Sequence, residues 1–163
     1  MKRFVLVISF VFYSIFLLAQ DSIHVNTFLE IGGNAGIASI NFDKPVIVFK
    51  KSFISLRCGF GFSREVMGDL KTKSFFMIPT MIHYSIGKTP HYFETGFGLA
   101  LGISTHPAII SRITPTIGYR FQKSETSGLF FRITYTPLLP SGFGDKLKQW
   151  GGISLGYTFK SKK

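Results

Sequence analysis

Residues 53–63 read Phe53-Ile54-Ser55-Leu56-Arg57-Cys58-Gly59-Phe60-Gly61-Phe62-Ser63. Ile54, Leu56, Cys58, Phe60 and Phe62 fall on one side of a two-residue repeat, and Ser55, Arg57, Gly59, Gly61 and Ser63 on the other. That period belongs to a β-strand, whose successive side chains point to opposite faces. It recurs along the chain between turn signals. Residues 91–104 set Phe93, Phe97, Leu99, Leu101 and Ile103 against Glu94, Gly96, Gly98, Ala100 and Gly102. Residues 109–123 set Ile109, Ile113, Ile117, Tyr119 and Phe121 against Arg112, Thr114, Thr116, Gly118, Arg120 and Gln122. Residues 129–138 oppose Leu129, Phe131, Ile133 and Tyr135 to Arg132, Thr134 and Thr136, and residues 150–159 oppose Ile153, Leu155, Tyr157 and Phe159 to Gly152, Ser154, Gly156 and Thr158. In residues 75–87 the pattern is less clean, with Phe76, Ile78, Ile82, Tyr84 and Ile86 facing away from Pro79, Met81, His83 and Ser85. The fold class is all-β.

The nature of the two faces narrows the architecture. The outside of a soluble barrel or sandwich must be well hydrated and carries Lys, Glu, Asp and Gln. Here the polar face is made of Gly, Ser, Thr and a few Arg and Glu, small groups suited to the inside of a narrow barrel, while the other face is bulky and apolar. Charge type divides in the same way. Apart from Lys2, the lysines sit at segment ends, in turns or in the tail, whereas Arg57, Arg112, Arg120 and Arg132 lie inside strands on the small-residue face. Buried arginines need acidic partners, and Glu30 and Glu94 share that face. These six residues are the expected lumen charge network. The pattern is that of a transmembrane, antiparallel up-and-down β-barrel.

An open sheet cannot cross lipid with unpaired edge amides, so the barrel must close, and bacterial barrels of one chain have even strand numbers. Six segments are clear. Between His24 and Asp43 the apolar parity is odd at Leu29 and Ile31 but even at Ala38, Ile40 and Phe42, so the Gly32-Gly33-Asn34-Ala35-Gly36 stretch is either a bulge in one strand or a hairpin joining two. The hairpin brings the total to eight. With Phe159 ending on the periplasmic side, residues 44–52, 87–91 and 123–128 become periplasmic connections, and 64–74, 104–108 and 139–148 external ones.

The amino terminus reads as an address. Lys2 and Arg3 precede an apolar run from Phe4 to Ala19, interrupted only by Ser9 and Ser14, and then come Gln20, Asp21 and Ser22. This is the layout of a signal peptide cut near Ala19, and its 16 apolar-run residues fall short of the roughly 20 of a spanning helix. The expected organisation is a signal peptide at 1–19 and one barrel domain at 20–163. Removing the signal leaves 17 Lys and Arg against eight Asp and Glu, a formal charge of +9 instead of +11. One cysteine, Cys58, cannot form an internal disulfide, and no Cys or His spacing of a metal site occurs, so neither metal nor cofactor is expected.

The chain resembles the small outer-membrane β-barrel proteins of Gram-negative bacteria, including the eight-stranded type. The resemblance rests on the signal-like amino terminus and on four stretches: Glu30-Ile31-Gly32-Gly33 leading to Ser39-Ile40-Asn41-Phe42, Phe93-Glu94-Thr95-Gly96-Phe97-Gly98, Ile117-Gly118-Tyr119-Arg120-Phe121, and Gly152-Ile153-Ser154-Leu155-Gly156-Tyr157-Thr158-Phe159. It implies residence in the cell outer membrane, contact with lipid and lipopolysaccharide, and recognition of the last strand, ending at Phe159, by the outer-membrane assembly machinery. Lys160-Ser161-Lys162-Lys163 after Phe159 departs from the usual aromatic ending. Members of the class serve as pores, adhesins, anchors and lipid-modifying enzymes, so the resemblance implies architecture sooner than activity.

One constellation could carry catalysis. A two-residue Thr89-Pro90 turn sets Ser85 opposite Glu94, with His83 two residues along the same face, so hydroxyl, imidazole and carboxylate could converge as nucleophile, base and orienter. The His-x-Ser pair plus Glu loosely resembles outer-membrane lipid A deacylases. The competing reading is a polar plug in which Glu94 pairs with Arg112 or another inward Arg. The glycine clusters lack the Lys-Ser/Thr pair and the strand-turn-helix setting of phosphate loops. The lysines are dispersed, without the basic helix or stacking platform of a nucleic-acid binder, and fit anionic head groups better. The expectation is a non-enzymatic envelope protein with a structural, surface-contact or narrow-channel role. The alternatives are a lipid-directed hydrolase using Ser85, His83 and Glu94, and a soluble periplasmic barrel or sandwich.

Overall fold

The structure, a computed structural model, describes residues 24–66, 72–104, 109–123, 127–139 and 147–160. The expected signal segment at 1–19 lies outside these residues, as does most of the connection at 139–148. Eight strands follow one another: β1 (His24–Gly32), β2 (Ala38–Val48), β3 (Ser52–Val66), β4 (Thr72–Lys88), β5 (His91–Ser104), β6 (Ile109–Gln122), β7 (Gly128–Tyr135) and β8 (Gly151–Lys160). Each is antiparallel to its neighbour, and β1 pairs with β8 from His24↔Lys160 to Gly32↔Gly152, closing the barrel. Closure leaves no sheet edge along the shared height of the wall, so the backbone amides there are paired within the chain.

The alternation read from the sequence maps onto this wall. Leu29, Ile31, Phe60, Phe76, Phe97, Ile117, Ile153 and Leu155 are exposed on the outside, while Asn41, Ser55, His83, Glu94, Thr114, Arg120 and Arg132 are buried in the lumen. The inverted arrangement puts the charged groups in the centre and the apolar groups on the outer surface. The parity change after β1 is a hairpin, with Gly32, Gly33 and Gly36 at φ of 77°, 70° and 99°. Only glycine occupies that left-handed region at no steric cost, and this turn lets the chain reverse within five residues. The turn then folds inward: Asn34 and Ala35 are buried, and Ala35 packs with Phe75, Met77, Ala100 and Ile110 to form a small apolar plug.

The paired part of β2 runs further than the sequence reading places it. The connection expected at 44–52 shrinks to residues 49–51, because β2 stays paired with β3 out to Val48↔Phe53 through a register shift between Pro45 and Ile47. Proline lacks an amide hydrogen, and a bulge is where a paired strand tolerates that loss. The wall is also uneven in height. β3 to β6 have 14 to 17 residues, whereas β7, β8 and β1 have eight to ten. β6 pairs with β7 only over Ile117 to Gln122, so its first eight residues rise above the short wall.

Glycines on the inner face make room for large neighbours. A Cβ on Gly96 would overlap the His83 ring, one on Gly33 the Glu30 carboxylate, one on Gly98 the Met81 side chain, and one on Gly156 the Thr27 carbonyl and Phe28. A Cβ on Gly128, by contrast, meets nothing nearer than Lys123 at 3.9 Å. Gly156→Ala is therefore expected to lower stability by about 1–3 kcal/mol through overpacking, and Gly128→Ala to change it by less than about 0.5 kcal/mol. Urea unfolding of the refolded barrel, followed by tryptophan fluorescence, measures both; equal effects would contradict the packing argument.

Candidate functional site

The centre of the lumen is an ionic network built from single residues on seven strands. β1 contributes Glu30, β2 Asp43, β3 Arg57, β4 His83, β5 Glu94, β6 Arg120 and β7 Arg132. Each reaches the interior because it holds the inward parity of its strand. The contacts run across the lumen instead of along the ladder. Asp43 stands opposite Arg57 in the β2–β3 register, yet it pairs with Arg120. Arg57 instead pairs with Glu30 and donates from Nε to Asn41 Oδ1 at 3.0 Å.

Glu94 and Glu30 act as hubs. Arg120 and Arg132 face each other in the β6–β7 register, a like-charge pairing that would repel if left alone. Glu94 resolves this by taking Arg120 Nη1 on Oε2 at 2.6 Å and Arg132 Nη1 on Oε1 at 3.1 Å. Glu30 does the same between Arg57 and Arg132, whose Nη2 donates to Oε1 at 2.9 Å. The result is one chain of alternating sign: Asp43, Arg120, Glu94, Arg132, Glu30, Arg57. Three carboxylates balance three guanidiniums, and all six are buried. Ser154 of β8 joins by donating to Glu30 Oε1 at 3.2 Å, so every strand is tied in.

Aromatic rings seal the network on the side where His24 pairs with Lys160. Phe28 and Phe130 stack with centroids 4.7 Å apart. Arg57 and Arg132 lie over Phe28 at 5.2 and 4.8 Å, and Arg120 lies between Phe53 and Phe130 at 5.1 and 5.0 Å. A guanidinium at that height gains from the ring quadrupole, more so where water is excluded. Asn26 donates to Asp43 at 2.9 Å, and Gln122 accepts from Arg120 Nε at 2.9 Å, satisfying edges that the ion pairs leave open. On the opposite side, Thr114 donates to Asn34 at 2.6 Å, fastening the inward turn to β6.

Most of the expected residues meet. Glu30, Arg57, Glu94, Arg120 and Arg132 are joined, and Glu94 pairs with Arg120 and Arg132. Arg112 is buried on the same face of β6, opposite Ala100. Ser85 stands opposite Glu94, as the two-residue turn requires. The order of contacts, however, differs from that of a nucleophile, a base and an orienter. Ser85 Oγ donates to Glu94 Oε2 at 3.2 Å, and His83 Nε2 lies 3.7 Å from Glu94 Oε1. The carboxylate stands in the middle, already holds two arginines, and no hydrogen bond joins His83 to Ser85 among those described. A general base must reach the proton it removes, and here the hydroxyl is turned to the carboxylate.

Asp43, Asn26 and the inward phenylalanines are the members that the sequence reading missed, whereas it places Gln122 on the inner face without counting it in the network. Asp43 shares the inward parity of Ser39 and Asn41 and could have been found from it. Phe28 and Phe130 also hold inward parity, but each adjoins an outward apolar residue, and hydrophobicity alone hides the alternation. Among the described residues, no group of three His, Cys, Asp or Glu is placed to hold a metal ion.

Compared with protein-family models, curated proteins and solved structures, the chain matches none. Its fold and lumen define its class on their own: a closed, eight-stranded, antiparallel β-barrel plugged by a buried ionic network.

Removing one charge from such a network leaves its partner buried and uncompensated. Glu94→Ala is expected to cost on the order of 3–5 kcal/mol, and Ser85→Ala, which removes one peripheral hydrogen bond, about 1 kcal/mol. Urea midpoints of the two variants check the ranking, and a Glu94 variant as stable as the parent would remove the carboxylate from its hub position.

Proposed function

We propose that this chain is an outer-membrane β-barrel protein with a non-enzymatic envelope role, structural or surface-contacting. The observation that carries the reading is the inversion of polarity: a closed wall whose exposed outside is lined by Leu, Ile and Phe, around a lumen of paired charges. Water would be a poor solvent for that outer surface, and monomeric soluble proteins do not expose contiguous apolar patches of such extent. A hydrocarbon surrounding suits it, because closure has already paired the wall's backbone groups.

Aromatic residues at the two ends of the wall support the same reading. At the end where His24 pairs with Lys160 stand Tyr119, Phe121, Tyr157 and Phe159; His91 Nδ1 lies 2.6 Å from Tyr119 Oη, and the Tyr157 and Phe159 rings are 5.1 Å apart. At the other end stand Tyr135 and Trp150, with Tyr135 bonded to Gln149. Girdles of this kind mark the two interfaces of membrane barrels. The filled cross-section, with stacked Phe28 and Phe130 beneath a neutralised charge cluster, favours an anchor or contact surface over a solute channel. In this reading the residues up to Ala19 act as an export signal, lipid and lipopolysaccharide are the surroundings, and the strand ending at Phe159 is what the assembly machinery engages.

The deciding experiment is fractionation of cells expressing the full chain, with gel migration before and after heating. Recovery with the outer membrane and a heat-dependent shift in migration are expected. Recovery in the soluble periplasmic fraction without a shift would favour the soluble barrel instead. A second measurement addresses the hydrolase. The lipid A mass spectrum is expected to be the same with the parent chain, with Ser85→Ala and without the protein, and a Ser85-dependent loss of an acyl chain would overturn the non-enzymatic role.

A further inference from the structure

Charge is shared unevenly between the two ends of the barrel. At the end where His24 pairs with Lys160, the turns and strand ends at 49–51, 88–91 and 123–127, with the tail at 160–163, carry seven lysines against one acid, Glu125. Asp21, ahead of β1, adds a second acid, so seven cations less two acids leave +5. At the other end, residues 64–73, 104–108 and 136–150 carry five Lys and Arg against three Asp and Glu, which leaves +2. Among the residues whose side chains are described, every Asp and Glu (Glu30, Asp43 and Glu94) is buried in the lumen. Those acids answer the internal arginines and not the rim.

Backbone contacts join the lysine-bearing turns edge to edge. The Gly87 amide, one residue before Lys88, donates to the Lys51 carbonyl at 2.9 Å. Lys88 stands opposite His91, and the Pro90 carbonyl of that turn accepts from the Gln122 amide, one residue before Lys123, at 2.8 Å. Beyond the Lys123 turn, the Ser127 hydroxyl accepts from the Lys160 amide at 3.0 Å, and Lys160 pairs with His24. Lys50, Lys51, Lys88, Lys123 and Lys160, all exposed, therefore follow one another along the rim. The mouth they border is filled: Phe53 and Tyr92 meet edge to face at 5.1 Å, and Tyr92 Oη lies 2.7 Å from Thr89 Oγ1. An anion reaching this rim meets a surface, not a pore.

Height fixes what that surface touches. Lys88 lies two residues beyond Ile86, and Lys123 two beyond Phe121, on the same outward faces, and Lys160 directly follows Phe159. At about 3.3 Å per residue and a strand tilt of about 40°, two residues descend about 5 Å, into the head-group layer that is about 5–7 Å deep on each side of the hydrocarbon. We infer that this lysine rim docks on the phosphates of anionic phospholipids, holding several head groups around the end where His24 pairs with Lys160. The inference rests on the membrane reading above and deepens it by naming the lipid class and the end of the barrel that selects it. Attraction of the apolar wall to lipid in general needs neither charge nor asymmetry. A one-sided row of ammonium groups at phosphate height is complementary to anionic head groups, which lysines near a membrane surface attract. Each ammonium is a point charge on a flexible stem and takes a phosphate without a fixed geometry.

The full chain is reconstituted into phosphatidylcholine vesicles containing a trace of spin-labelled phosphatidylglycerol or spin-labelled phosphatidylcholine, and electron spin resonance measures the fraction of each label immobilised by the protein. Phosphatidylglycerol is expected to be preferred by about threefold or more in relative association at low salt, and by less in concentrated salt. The combined variant Lys50→Gln, Lys51→Gln, Lys88→Gln, Lys123→Gln and Lys160→Gln is expected to bring the two lipids level. The smaller pair Lys88→Gln and Lys123→Gln, expected to lower the preference by about half, reads the same rim if the larger set fails to fold. At the other end, Lys73→Gln with Lys148→Gln is expected to leave the preference of the parent in place. Equal immobilisation of both lipids by the inserted parent overturns this proposal and leaves the membrane reading standing; if that protein binds polyglutamate in detergent, the rim belongs to a soluble acidic polymer instead. A preference that survives loss of the rim lysines, or that falls equally with those at the other end, also overturns it. Protein that stays outside the vesicles and immobilises neither label overturns the membrane reading and this one with it.

Discussion

The structure depends on neutralising buried guanidinium groups inside a closed wall. Moving an unpaired charge out of water costs several kcal/mol even after relaxation, and three guanidiniums, Arg57, Arg120 and Arg132, meet at the centre of one narrow lumen that also buries Arg112. Glu30, Asp43 and Glu94 must therefore converge on the same small volume from three different strands. Because each carboxylate or guanidinium at the centre of the chain serves two partners, the six charges form one object, and that object ties the strands to one another across the lumen. An apolar lumen would hold the strands by contact alone, and contact permits sliding. Here a register slip of one residue would turn a charge onto the outer face and leave its partner buried.

The remaining features follow from fitting this object into a narrow tube. Long arginine side chains and stacked phenylalanines need volume, and inner-face glycines such as Gly96, Gly98 and Gly156 supply it where a methyl group would collide. The uneven rim has a related cause. With the wall of β7, β8 and β1 short, the turn after β1 can fold over the lumen, placing Asn34 against Thr114 and Ala35 against Phe75 and Met77.

Much of this was legible residue by residue. The two-residue repeat identified β3 to β8 and their inward faces, and the parity change across Gly32 to Gly36 marked the place where either a hairpin or a bulge was needed. The offset between Ser85 and Glu94 followed from counting outward from a two-residue turn. Other parts were hidden for definite reasons. Asp43 lies one residue before Lys44-Pro45, a pair that resembles a turn, although the strand continues through a bulge there. Phe130 next to Phe131 reads as an apolar run, since hydropathy does not reveal that one ring faces arginine and the other faces out. The partner of each charge was hidden as well. Neighbours in register, such as Asp43 and Arg57 or Arg120 and Arg132, are what a sequence offers, and neither pair is the one that bonds.

By itself the sequence determined six of the eight strands, their two faces and the inverted polarity, because alternation is a local property that needs only the period of the extended chain. It also placed Glu30, Arg57, Glu94, Arg120 and Arg132 in the lumen, since parity is inherited along a strand, but not Asp43. Only the tertiary structure decided which charges meet. Strands in a closed barrel tilt against its axis, so residues at one height come from distant registers, and contacts such as Asp43 with Arg120 or Arg132 with Glu30 exist only once the wall has closed. The order of contact among Ser85, Glu94 and His83 was decided in the same way, by the two arginines that reach Glu94 from the far side of the lumen.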